Sequence, residues 1–221
     1  DRGFKDFHLV FVDDHAISRK GYVFLLGEED DLTVCGEAAS ARDALDQRDA
    51  VLPDLRIVDV MMDGRSGLIL VKHLQQTRPG LPILVVSMHE EALYAERALR
   101  AGARGYLMKT EASRAVVDAA RRVLRGGLYV SESMNDHMLR QYTSPEGQDA
   151  TSPLARLSDR ELEAFEHLGR GLKTSASAEV MHVSPNTVES YRARIKEKLG
   201  LSDGAALVLY AVRHVEQRSL P

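Results

Sequence analysis

The chain has 221 residues, 44% of them hydrophobic, with a formal net charge of −4 and a single cysteine, Cys35. That length and apolar content suffice for a sizeable core in one or two domains, and one unpaired cysteine excludes a disulfide framework and fits a reducing compartment. No run approaches the roughly 18–20 apolar residues of a membrane span and no charged-then-apolar leader opens the sequence, so the expectation is a cytoplasmic protein that does not enter a membrane.

Five strand-then-helix units are predicted between residues 7 and 126. Strands at 8–13, 33–38, 55–60, 82–87 and 104–108 are short aliphatic or β-branched runs. Helices follow at 16–27, 41–49, 67–77, 90–101 and 111–125, with spacings such as Ala112, Ala115, Val116, Ala119 and Val123. Gly102 and the Gly126-Gly127 pair read as helix stops. Cys35, inside the second apolar stretch, reads as a buried small hydrophobe. Alternating strands and helices imply an α/β doubly wound fold with a five-stranded parallel sheet, so every strand ends on the same edge.

From Ser131 the apolar pattern dissolves, and residues 142–153 are rich in turn formers and polar side chains. Only helical patterns follow. The expected division is a first domain over 1–130, a linker over 131–156 and a small all-α domain over 157–221. In the last, Ser158 and Glu161 form a capping box, and Gly169 or Gly171 ends the helix they start. A short helix at 174–181 precedes Ser184-Pro185, a cap plus a preset first helical residue that opens a helix to Leu199. Gly200 stops that helix. Ser202 is expected to cap a last helix carrying Leu207, Val208, Tyr210, Ala211, Val212 and Val215. Two helices joined by a short turn, the second basic, suggest a helix-turn-helix.

Four strands of the first domain end in Asp13-Asp14, Asp59, Ser87 and Lys109. Taken singly, the aspartates or the serine read as helix caps and the lysine as a solvated charge. Jointly they are a set for phosphoryl transfer to a carboxylate. Three acids in one crevice need a cation, and a hard, oxygen-liganded Mg²⁺ fits. Asp59 is the candidate nucleophile, with Lys109 stabilising charge on the transferring oxygens and Ser87 donating a hydrogen bond to the same group.

These residues carry a resemblance. Residues 7–126 resemble the receiver domain of two-component response regulators through Val12-Asp13-Asp14-His15 with Arg19 and Gly21, Pro53-Asp54-Leu55 leading to Asp59, Gly64, Gly67-Leu68, Ser87-Met88-His89, and the stretch from Gly102 to Lys109. Residues 157–216 resemble the LuxR-type helix-turn-helix through Leu157-Ser158, Arg160-Glu161, Gly171-Leu172, Val183-Ser184, Thr187-Val188 and Lys198-Leu199-Gly200. Together they match the NarL/FixJ subfamily. The resemblance implies that a sensor histidine kinase phosphorylates Asp59. It also implies that Asp14, Asp59 and the main-chain carbonyl of Met61 hold Mg²⁺ with Asp13 acting largely through water, and that Ser87 and Tyr106 form the switch. The implied protein is a transcription factor, a homodimer when active, that slowly loses its phosphoryl group and is not a turnover enzyme.

The net charge says nothing against DNA, because only the surface presented to it must be basic. In the 185–199 helix, Asn186, Glu189 and Ser190 are expected at base edges of promoter DNA, and Thr187, Tyr191, Arg192, Arg194 and Lys198 mostly at phosphates. A solvated basic face is the plainer reading of the same residues. Two positions depart from the family pattern: Asp63, where proline is usual, is expected to face solvent, and Ser177, where an apolar residue is usual, is expected to loosen its helix. An aspartate-nucleophile phosphatase would need a second acid two residues past Asp59, where Met61 stands. A phosphorylation-independent regulator would fit a degraded pocket, and here the pocket residues are intact.

Overall fold

The structure, a computed structural model, describes residues 6–47, 52–62, 65–89, 91–111, 113–143 and 152–219. The chain divides into two compact units, with the main boundary between Thr143 and Ser144. In the first, β1 (Phe7–Val12), β2 (Leu32–Ala38), β3 (Leu55–Asp59), β4 (Ile83–Ser87) and β5 (Gly105–Met108) form a parallel sheet in the order β2-β1-β3-β4-β5. Between and after them run α1 (Ala16–Gly27), α2 (Ala41–Asp46), α3 (Gly67–Thr77), α4 (Glu91–Arg100) and α5 (Ser113–Leu124).

The strands β1, β3, β4 and β5 read as nearly continuous apolar runs because both faces of the sheet are covered there. On one face Leu9, Phe11, Ile57, Leu84 and Leu107 form one core with Leu26 of α1 and Val116, Ala119, Ala120 and Val123 of α5. Residues of the other parity, Val10, Val58 and Val85, are also fully buried. Strand order reverses between β1 and β3, the point at which such sheets open a crevice beyond their carboxyl ends. The register pairs Val12 with Val58, Asp59 with Val86 and Ser87 with Met108. Asp13, Asp59, Ser87 and Lys109 therefore leave the sheet at nearly one level.

Close backbone approach requires two glycines here. A Cβ on Gly67 would fall 2.0 Å from the main-chain oxygen of Asp59, and one on Gly105 would fall 2.9 Å from that of Tyr129. Tyr129 adds an isolated parallel bridge to β5 at Gly105.

Two local expectations fail, and one buried charge lies where the sequence shows only an apolar run. Cys35 is exposed, because it lies on the edge strand β2. Its thiol still reaches the carbonyl of Leu9 at 3.3 Å, and burial of that atom's surroundings pushes the thiol pKa up. Arg56, inside an apolar run, is fully buried. It donates 2.8 Å to the carbonyl of Ala44 in the last turn of α2, where helix carbonyls carry partial negative charge. Finally, the stretch after Ser131 contains a helix, α6 (Glu132–Thr143), which packs against α4.

The second unit contains a 3₁₀ turn (Pro153–Arg156) and α7 (Asp159–Gly169), α8 (Thr174–Met181), α9 (Pro185–Leu199) and α10 (Gly204–Ser219). The Ser158–Glu161 capping box forms, and Ser184 caps α9 with Pro185 as its first residue. Asp203 rather than Ser202 caps α10, its Oδ1 accepting from the Ala206 N–H at 2.8 Å. A carboxylate at the start of a helix also gains from the helix dipole, which a hydroxyl does not. Leu207 and Ala211 are buried, and Phe165 of α7 packs against the rings of Tyr210 and His214 at 5.9 and 5.7 Å.

Candidate functional site

Asp59 closes β3 and is 5% exposed. Its Oδ2 accepts a hydrogen bond from Lys109 Nζ at 2.7 Å, and its Oδ1 accepts one from the Met61 N–H at 3.3 Å. Lys109 also donates to Oδ2 of Asp13 at 2.6 Å, so one ammonium bridges two carboxylates. Asp13 is fully buried and accepts further bonds from the Ser18 hydroxyl at 2.9 Å and the His15 N–H at 2.8 Å. Asp14 lies beside it, its Oδ1 2.7 Å from Nδ1 of His15.

Burial pushes the Asp59 carboxyl above its ordinary pKa, and Asp13 adds to the rise, while Lys109 opposes it. For Lys109, burial disfavours the ammonium, but the two carboxylates outweigh that and hold its pKa up. One ligand atom each from Asp13, Asp14, His15 and Asp59 can be chosen so that all lie within 4.8 Å of one another. Three carboxylates facing one ammonium leave a concentrated negative charge, and a mostly oxygen donor set of this size suits a hard divalent cation. His15 is the member of the cluster that sequence reasoning did not place in the site; its only signal was adjacency to the acid pair.

Ser87 and Tyr106 meet on the backbone of one residue, His89. The fully buried Ser87 hydroxyl oxygen accepts from the His89 N–H at 2.9 Å, and the fully buried Tyr106 hydroxyl donates to the His89 carbonyl at 2.7 Å. The His89 ring packs on Tyr94 at 4.9 Å, and Met88 is exposed. Asp63 lies outside the described residues.

In the second unit, α8 and α9 are joined through His182, which adopts a left-handed φ of 53°. Val188 and Ile195 anchor α9 in the core, while Asn186, Glu189, Ser190 and Arg194 are exposed and Thr187, Tyr191 and Arg192 half-buried. The Ser190 hydroxyl donates to the Asn186 carbonyl at 2.9 Å. Glu189 accepts from the Thr174 hydroxyl at 2.7 Å and from Arg192 at 3.3 Å, and Arg192 also donates to that hydroxyl at 2.9 Å. These bonds tie the first residue of α8 to α9. Lys198 forms an ion pair with the capping-box Glu161 at 2.6 Å, which helps hold that carboxyl below its usual range against the effect of burial.

Ser177 does not leave α8 loose. It is buried, and its hydroxyl lies 2.7 Å from Nδ1 of the buried His167 on α7, a polar joint where an apolar contact was expected. Ser177→Ala removes that bond and is expected to destabilise the second unit by about 1–2 kcal/mol, the usual cost of removing one partner from a buried polar pair. Thermal melts of the full chain check this, and an unchanged second-unit transition refutes it.

No described helix is long and apolar enough to cross a membrane. Residues 9–121 match the response regulator receiver domain, and residues 155–211 match the bacterial regulatory proteins of the luxR family. The chain is 34% identical to the oxygen regulatory protein NreC of Staphylococcus carnosus over 93% of its own length and 96% of that protein's. Among solved structures, RcsB of Salmonella typhimurium superposes with a TM-score of 0.75 at 22% identity, covering 95% of this chain and 98% of that one. RcsB from Salmonella enterica serovar Typhimurium, solved on the rprA promoter with the phosphomimetic BeF3⁻, gives 0.69 at 21% identity over 94% and 98%. With a receiver domain and a LuxR-type helix-turn-helix on one chain, and near full-length likeness to NreC, this protein belongs to the NarL/FixJ-type two-component response regulators, DNA-binding transcription regulators controlled by phosphorylation.

Proposed function

We propose that Asp59 accepts the phosphoryl group of a cognate sensor histidine kinase and that α9 enters the major groove of promoter DNA. The observation that carries the first half is the Lys109 ammonium bridging Asp59 and Asp13 within a cluster of three carboxylates at the sheet edge. An Asp59 carboxylate oxygen attacks phosphorus, the P–N bond to the kinase imidazole breaks, and that imidazole leaves neutral, having kept its other proton. Asp14, Asp59 and the Met61 carbonyl would hold Mg²⁺, with Asp13 acting through water. When bound, Mg²⁺ neutralises charge on the transferring oxygens. Lys109 stays beside the new acyl phosphate, and Ser87 turns its hydroxyl toward it. Water slowly returns Asp59 to the free acid, so phosphate serves as a mark and not as a turnover product.

The DNA half rests on the exposed polar residues of α9. Asn186, Glu189 and Ser190 face bases in this reading, and Thr187, Tyr191, Arg192, Arg194 and Lys198 serve phosphates, Lys198 after exchange from Glu161. RcsB has been solved as dimers bound to DNA, and a homodimer reading paired half-sites is the assembly we propose here. Binding measured with and without a small phosphodonor tests the coupling, with tighter binding expected after phosphorylation. Arg194→Ala is expected to weaken specific and unrelated duplexes alike and to reduce the slope of log affinity against log salt by about 1. A loss confined to one sequence would overturn its phosphate role.

A further inference from the structure

We propose that Glu91 is a positioning residue that couples the phosphoacceptor pocket to α6, the helix from which the chain passes on to its second unit; this rests on phosphorylation of Asp59. Glu91 is the first residue of α4 and is 9% exposed. Its Oε1 accepts the Ser131 N–H at 2.8 Å, and its Oε2 accepts the Ser131 hydroxyl. Ser131 immediately precedes α6 and caps it, its Oγ accepting from the Met134 N–H at 3.1 Å and its carbonyl from the Asn135 N–H at 2.9 Å. One buried carboxylate thus engages both donors of the α6 cap and fixes the hydroxyl so that its lone pair faces the helix.

The packing of α6 is uneven along its length. Among its residues with described side chains only Met134 is buried, and the helix borders a cavity of about 430 Å³ whose lining mixes apolar residues such as Leu128 and Met138 with Arg122, Glu132 and Asn135. A fixed cap sets where such a helix starts and steadies its first turn.

The other end of the link lies in the pocket. Two residues before Glu91, the backbone of His89 is held at its N–H by Ser87 and at its carbonyl by Tyr106. Two residues before Ser131, the Tyr129 carbonyl accepts the Tyr106 N–H at 2.8 Å. An acyl phosphate on Asp59 offers new acceptor oxygens to Ser87. As the Ser87 hydroxyl turns to them, its bond to the His89 N–H lengthens, His89 shifts with the start of α4, and Glu91 withdraws from Ser131. Phosphorylation then loosens α6. The carboxylate either keeps both donors or moves toward water, which makes the contact two-state and not graded.

Hydrogen exchange of α6 amides in the full chain, with and without beryllium fluoride and Mg²⁺, tests this. In the unsubstituted protein, α6 exchange is expected to rise about fivefold with beryllium fluoride, the equilibrium factor that a typical helix cap represents. Glu91→Ala, Ser131→Ala and the double variant are each expected to exchange at the raised rate without the mimic and to change less than about twofold on adding it, with no additivity between the two sites. Ser131→Thr, which keeps both donors, is expected to restore the response. Fluorine NMR of bound beryllium fluoride reports pocket occupancy in each sample. Absence of that signal in the unsubstituted protein counts against the phosphoacceptor reading itself. An occupied pocket with unchanged α6 exchange, or Glu91→Ala keeping the full fivefold rise, overturns the coupling alone. Should Glu91→Ala fail to fold, the Ser131 pair of variants decides the matter.

Discussion

Asp59→Asn is expected to reduce phosphate incorporation from a small phosphodonor with Mg²⁺ to background and to make DNA affinity indifferent to the donor. An amide lacks the anionic oxygen that attacks phosphorus, and the neighbouring Asp13 is fully buried and already accepts from Lys109, Ser18 and His15. The variant should nevertheless fold. Burial raises the Asp59 pKa, so the folded state disfavours its charge, and the isosteric amide removes that desolvation cost while still accepting from the Met61 N–H. Lys109 keeps Asp13 as its partner, so no charge is left unpaired, and stability is expected to be equal or higher by about 1 kcal/mol. Mass spectrometry after phosphodonor treatment measures the first effect and a thermal melt the second. Labelling at the unsubstituted extent would move the acceptor elsewhere, and a large loss of stability would mean that the charge of Asp59 is held more favourably than its burial implies.

The pocket was legible because a parallel sheet converts sequence order into geometry: every strand ends on one edge, so Asp13, Asp59, Ser87 and Lys109 had to converge once the strands were found. Strands buried on both faces are long apolar runs, the easiest pattern to see. Contacts that depend on a partner far along the chain were not legible. The α6 helix carries no strong apolar stripe, and its start is fixed by Glu91, 40 residues earlier. Arg56 sits in the core with its guanidinium donating to the Ala44 carbonyl near the end of α2, a partner that no periodicity reports. Ser177 reads as a defect until His167, 10 residues away on another helix, is seen to face it. Cys35 followed the apolar run of β2, but the run did not say that β2 would lie at the sheet edge. In the second unit the caps were local signals and were found, except that Asp203, one residue past Ser202, takes the last one.

Lys109→Met is expected to have the second large effect and to separate three roles of one charge. In the absence of divalent cation it leaves Asp13 and Asp59 without their shared ammonium, and breaking a buried pair from one side costs about 3 kcal/mol. Adding Mg²⁺ should recover much of that loss, because the cation would meet Asp59 directly and Asp13 through water. Mg²⁺ itself should bind more tightly than to the unsubstituted chain by roughly tenfold, since an ammonium a few ångströms from a divalent cation repels it by about 1–2 kcal/mol even in a well-screened site. The response should fail all the same: an acyl phosphate on Asp59 would have no cation on the protein side to fix its oxygens, so DNA affinity should gain little from phosphodonor. Calorimetric titration with Mg²⁺, melts with and without it, and binding to promoter DNA distinguish the three. Tighter metal binding together with a lost response requires the ammonium to oppose the cation and to serve the phosphoryl group, which is the division of labour that its two short bonds imply. Weaker Mg²⁺ binding in the variant would instead mean that Lys109 holds the carboxylates in the geometry the cation needs, and the charge argument would fall.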